Sequence, residues 1–113
     1  MTSLPKPYEA FKRAHPDVWK AYDQLGALVH GAGPLNKKNR ELAKLALAIG
    51  AGLEGAVHSH TRRALEAGAD PKEIYHVVLL GVTTIGFPAT MAAMTWVGDD
   101  LKSASRVKKR RKR

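Results

Sequence analysis

Between Pro16 and His30, Val18, Trp19, Tyr22, Leu25, Leu28 and Val29 recur at three- and four-residue spacing, the pattern of one amphipathic helix. A shorter helix is predicted over 7–15, stopped by Pro16, and Gly31-Ala32-Gly33-Pro34 breaks the chain after His30. Asn36 is placed to cap the next helix, whose Leu42, Leu45, Ala46, Ile49 and then Leu53 share a face. Gly50 and Gly52 predict a bend or break around 50–53. A further helix runs from about Leu53 to Ala67, with Gly68 as its C-cap. Asp70 as N-cap, Pro71 at the first helical position and Glu73 in the first turn restart the pattern, with Ile74, Val77, Val78 and Gly81 facing inward. Gly86-Phe87-Pro88 is a turn. The last helix, about Pro88 to Ser103, mixes Ala89, Ala92 and Ala93 with Met91, Met94, Trp96, Val97 and Leu101.

Almost nothing reads as strand, and no internal repeat is visible. The pattern predicts an all-α fold, a compact bundle of five to six helices filling residues 1–103 as a single domain. The chain's 113 residues suffice for one domain. A monomer of that size buries only about 60–70% of its unfolded surface. Together with the small-residue final helix, this points toward an oligomer.

Charge changes the picture only when it is located. The formal net charge is +9, but seven of the 19 basic residues are Arg106, Lys108, Lys109, Arg110, Arg111, Lys112 and Arg113. Residues 1–105 carry 12 basic against 10 acidic side chains, a nearly neutral body. The segment 104–113 is therefore expected to be a disordered basic tail. A tail of this kind can attach to nucleic acid or another polyanion through residues 106–113, without sequence preference because no aromatic is interleaved to stack on bases. The alternative is a merely solubilising extension.

The chain has no cysteine, which excludes a disulfide framework, a thiolate metal site and a catalytic thiol. No apolar run approaches the ~20 residues that span a bilayer, and Met1-Thr2-Ser3-Leu4-Pro5-Lys6 lacks a signal-like stretch. A cytoplasmic protein without membrane contact is the expectation.

Candidate chemistry centres on His58-Ser59-His60. Residues two apart point about 200° from each other on a helix, so both imidazoles cannot face one metal ion. Glu54 and His58 share a face and can pair. With no third ligand in view, no metal site is assigned. Leu53, Ala56 and His60 form a stripe, and if the two flanking helices pack antiparallel through the Gly50–Gly52 break, Glu41 approaches His60. A carboxylate beside an imidazole fixes its tautomer and suits general acid/base work, although a purely structural pair looks the same in sequence. His76, His30, Trp19, Trp96, Met91 and Met94 are read as packing or helix-end residues.

Residues from about Gly33 to Gly98 resemble the carboxymuconolactone decarboxylase and alkylhydroperoxidase D-like family. The matching pieces are Gly33-Pro34-Leu35, Arg40-Glu41-Leu42-Ala43, His60-Thr61-Arg62-Arg63-Ala64-Leu65-Glu66-Ala67-Gly68-Ala69, Glu73-Ile74 and Gly86-Phe87-Pro88-Ala89, in order and spacing. The resemblance implies a helical fold assembled into trimers or hexamers. In the redox branch a glutamate precedes a Cys-x-x-Cys-x-x-x-His motif by twelve residues. That register places the glutamate on Glu41, the histidine on His60 and the two cysteines on Leu53 and Ala56. Thiolate chemistry is thereby excluded. The resemblance to the decarboxylase branch implies a lyase acting on a small carboxylated or lactone substrate without a cofactor. His60 would transfer the proton, Glu41 would orient it, and Arg63 and Arg62 would be candidate carboxylate binders. The alternative is a non-catalytic helical scaffold working through its basic tail.

Overall fold

A computed structural model describes residues 5–111. Six α-helices and one 3-10 turn make up the described residues, with no strand. Their contacts group into two compact units, the first ending at Pro34 and the second starting at Leu35, where the sequence reading draws one domain over 1–103. The boundary is the Gly31–Pro34 break.

The first unit holds α1 (Lys6–Ala14) and α2 (Pro16–His30). His15 between them leaves the helical region (φ −135°, ψ 67°), as the clash of the following proline ring with helical backbone favours. The two helices meet through Phe11 and Trp19, whose ring centroids lie 6.5 Å apart, with Tyr22 beyond Trp19 at 6.4 Å. No residue of either helix is buried. The apolar stripe of α2 is open, with Leu28 73% exposed.

The second unit contains α3 (Lys37–Ala51), α4 (Glu54–Glu66), α5 (Pro71–Leu79), the 3-10 turn Leu80–Thr83 and α6 (Phe87–Arg111). Asn36 caps α3 by accepting from the Asn39 N–H at 2.9 Å. The break between α3 and α4 is a tight reversal at Gly52 (φ 69°), a backbone conformation that costs glycine nothing. The Leu53 N–H returns to Ala48 O at 3.0 Å and the Gly52 N–H to Ile49 O at 3.1 Å, satisfying the last carbonyls of α3. Gly68 (φ 96°) ends α4 in the same manner. Asp70 and Glu73 form a reciprocal capping box at the start of α5. Glu73 also bonds Lys38 of α3 at 3.0 Å, and the Asp70 N–H followed by Lys38 holds its carboxyl below the usual range.

The core draws Leu45, Ala48 and Ile49 from α3, Val57 and Ala64 from α4, Ile74 and Val78 from α5, and Ala93, Val97 and Leu101 from α6. α4 packs against both α3 and α6, and α5 against the same two helices. Three expectations differ from this arrangement. On α3 the buried face is Glu41, Leu45, Ala48 and Ile49, at i, i+4, i+7 and i+8, so Ala46 lies outside it. Leu53 stands at the start of α4 and is 55% exposed. α6 also continues to Arg111 instead of ending near Ser103. Ser103 to Arg111 contains neither Gly nor Pro, Lys and Arg are good helix formers, and cations suit a helix C-terminus. The expected tail residues 112–113 lie outside the described residues.

The 3-10 turn lets α5 and α6 close together at Gly81. A Cβ there would sit 2.8 Å from Thr90 Oγ1, which is itself bonded to Gly86 O at 2.8 Å. Thr90 is only 1% exposed, so the hydroxyl has nowhere to retreat. Gly81→Ala should therefore cost about 1–3 kcal/mol in urea unfolding. The same substitution in a Thr90→Ala background should cost less, because the clashing oxygen is gone. Equal penalties in both backgrounds would contradict this account.

Candidate functional site

Glu41 lies in the first half of α3, and the reversal at Gly52 folds α4 back against that helix. His60 is thereby brought level with it. The Nδ1–H of His60 donates to Glu41 Oε1 at 2.8 Å. Glu41 is 4% exposed and is the one charged residue among the described buried ones; the other buried polar groups are Thr61 and Thr90. Both threonines satisfy themselves on their own helices, at Val57 O and Gly86 O. Glu41 takes its partner from across the helix interface. With Nδ1 engaged, Nε2 takes no hydrogen bond among the described residues and is not a sealed buried atom.

His58 points the other way, as its two-residue offset from His60 requires. Its Nδ1 bonds Asp100 Oδ2 of α6 at 2.5 Å, and its Nε2 meets Glu54 Oε2 at 3.3 Å. Arg62, one turn further along α4, donates to the other oxygen of Asp100 at 3.2 Å. Glu54, His58 and Arg62 thus form one stripe of α4 gathered around Asp100. Burial alone would lower the His58 pKa, but the hydrogen bonds to Asp100 and then to Glu54, with the charges of both carboxylates, outweigh it. The ring is held above its ordinary value of 6.5. No group of three or more His, Cys, Asp or Glu suited to a metal ion occurs among the described residues.

The remaining sequence-predicted residues are dispersed. Ala56 is partly buried against the core, and Leu53 is exposed at the start of α4. Arg63 is exposed in the last turn of α4. Arg62 is tied to Asp100 rather than standing open beside His60.

Two features escape a reading of the sequence. Asp100 is 42 positions from His58, and no local pattern links them. The second is an apolar groove of about 350 Å³, bordered by Leu42, Ala46 and Ile49 of α3 with Val77, Leu80 and Ile85. Neither Glu41 nor His60 lines it. Leu42 and Ala46 carry the signal, because they stand one face round from Leu45 and Ala48, with Ile49 shared by both faces.

The raised pKa of His58 has a consequence for stability. Below pH 6.5 the ring is charged in both the folded and the unfolded chain, and the attraction to Asp100 and Glu54 contributes fully. As pH rises through the folded pKa, that contribution is lost. Asp100→Asn should therefore destabilise the protein more at about pH 6 than at about pH 9, by a difference of about 1 kcal/mol or less for a partly exposed network. The Arg62 pairing leaves a residual effect at high pH. Chemical denaturation across pH checks this, and a penalty that grows with pH would refute it.

Comparison with known proteins agrees with this architecture. No curated protein matches the chain. The crystal structure of apo-lpg0406, a carboxymuconolactone decarboxylase family protein from Legionella pneumophila, is similar with a TM-score of 0.75 and 22% identity. The likeness covers 85% of this chain and 86% of that one, and it shows the fold. The model of the carboxymuconolactone decarboxylase family matches residues 16–99, which include α3, α4, α5 and the Glu41–His60 pair. By a match over most of its length, the chain belongs to the carboxymuconolactone decarboxylase family.

Proposed function

We propose that the protein is a cofactor-free acid/base enzyme of lyase type, acting on a small carboxylated or lactone substrate. The observation that supports this reading is the buried Glu41 carboxylate holding His60 by Nδ1, with Nε2 left for substrate. Loss of CO₂ leaves the electrons of the broken C–C bond on carbon, delocalised as an enolate when a carbonyl is adjacent. The imidazolium Nε2–H delivers a proton to that carbon, and solvent restores the proton to the ring. Glu41 keeps the tautomer fixed and stabilises the charged ring. Arg63 is the guanidinium offered to the substrate carboxylate, since Arg62 already holds Asp100. Leu53 and Ala56 stand where relatives of the redox branch carry cysteines, so thiol peroxidase chemistry has no nucleophile in this chain. The protein would work in the cytoplasm. No helix of the described residues is long and apolar enough to cross a membrane.

The test begins with a thermal-melt panel of small carboxylic acids and lactones. A ligand at about 100 times its Kd adds ~2.7 kcal/mol to stability. With a compound so found, His60→Ala should lower turnover by about 10²–10⁴-fold, the contribution of a lost proton donor. Glu41→Gln should fall between the two. Unchanged turnover in His60→Ala would refute the assignment.

The active form would be a homo-oligomer, a trimer or hexamer. The apolar groove supports this, as do the exposed Leu47, Leu79, Leu80 and Phe87, a set of side chains that favours burial against a second copy. Light scattering should give three or six times 12.3 kDa, and Ala46→Glu, which puts a charge in the groove, should shift it toward the monomer. A monomeric wild type would refute this.

A further inference from the structure

The cations that close the sequence stand on a helix. α6 runs unbroken to Arg111, and its inner part is fixed in the core by Ala93, Val97 and Leu101. From Lys102 to Arg110 every residue is exposed. The basic segment therefore leaves the bundle as an arm whose direction is set by the buried part of the same helix. It also lies beyond residues 16–99, the stretch matched to the family.

Helical register sorts these charges. Lys102, Arg106 and Lys109 fall at i, i+4 and i+7, within about 60° of one another, and Arg110 extends the stripe by about 40°. Lys108 stands about 160° from Arg106, on the other side. The stripe spans about 12 Å of helix axis. Among the described residues no ion pair involves a cation of the arm from Lys102 to Arg110. Lys102 with Arg106, and Arg106 with Arg110, are like-charge neighbours four apart, which repel until a counter-charge is supplied.

We propose that this arm docks on duplex nucleic acid, gripping the phosphate backbone without reading sequence. A duplex presents one negative charge per ~1.7 Å of axis, so a rod with four aligned cations over about 12 Å faces a dense row of phosphates. From Lys102 to Arg113 there is no Asn, Gln or aromatic residue. Bidentate reading of adenine and base stacking are both absent, and stacking is what would favour a single strand. Val107 is the one large apolar side chain of the arm, which lacks the apolar face that an interfacial membrane helix sinks into lipid. Binding relieves the repulsion along the stripe and releases counterions from the duplex. None of this involves Glu41 or His60, so the proposal stands apart from the enzymatic reading.

The experiment is fluorescence anisotropy of the full chain with a labelled mixed-sequence duplex of about 20 base pairs, titrated at several salt concentrations. Four phosphate contacts give a slope of log K on log salt of about −3.6, a loss of about 100-fold between roughly 50 and 200 mM. Arg106→Gln should flatten the slope by about 0.9, whereas Lys108→Gln should leave it unchanged. Replacing Lys102, Arg106, Lys109 and Arg110 together by Gln, a good helix former, should abolish binding while circular dichroism keeps its helical signal. A second duplex of unrelated sequence should bind equally. Equal flattening by Arg106→Gln and Lys108→Gln would overturn the helical stripe. Binding that survives the fourfold replacement would overturn the arm as the site. A single strand, or vesicles rich in phosphatidylserine, bound as tightly as the duplex would overturn the choice of partner.

Discussion

The hydrogen bond between Glu41 and His60 is the constraint around which the C-terminal unit is arranged. A carboxylate that is 4% exposed is costly to bury without a partner, and its own helix offers none, because helical N–H groups beyond the first turn are already engaged. The partner must come from a neighbouring helix at a fixed height. Gly52 makes that possible: its left-handed backbone reverses the chain at once, so α3 and α4 run side by side from their junction. A longer loop would leave the register of the two helices free. Here it is pinned at one end by the reversal and further along by the 2.8 Å bond.

α4 repeats this device on its opposite side. Its two histidines, two residues apart, project in opposite directions, and each meets a carboxylate from a different helix: Glu41 of α3 for His60 and Asp100 of α6 for His58. The helix is thereby fixed in rotation as well as in height, since turning it to improve one contact would break the other. The apolar residues between these faces, Val57 and Ala64, fill the core. The polar contacts add a directional restraint to that packing. They differ in setting, however. The Asp100 network reaches solvent through the exposed Glu54 and Arg62, whereas Glu41 is enclosed.

Legibility in the sequence followed the range of the interactions. The caps at Asn36 and Asp70, the glycine stops at Gly52 and Gly68, and the break at Pro16 are settled within a few residues, and each could be read directly. Which stripe of α3 faces the core could not. Leu42 and Ala46 are as apolar as Leu45 and Ala48, and only the placement of α5 and α6 decides that the second pair is covered while the first borders a groove, with Ile49 shared between them. The end of α6 was missed for a related reason: clustered charge argues against folding in isolation, but a helix already nucleated in a core extends without a new nucleation cost. At the site, Glu41 and His60 were legible because a single reversal lies between them. Asp100 was not, since its approach to His58 needs α5 and the 3-10 turn to carry the chain back across α4.

The enclosed pair also bears on what the chain can do without thiols. A buried polar pair is weak ground for stability, since well-packed apolar residues of similar volume often serve as well or better. The rest of this core follows that economy, with its buried threonines bonded to carbonyls of their own helices. Glu41 and His60 depart from it by pairing across the helix interface. His60 anchors one ring nitrogen and leaves the other without a hydrogen bond among the described residues, at an atom that is not sealed from solvent. One arrangement thus serves both as the register pin of the two helices and as the basis of the proposed proton transfer, and neither role depends on sulfur at Leu53 or Ala56.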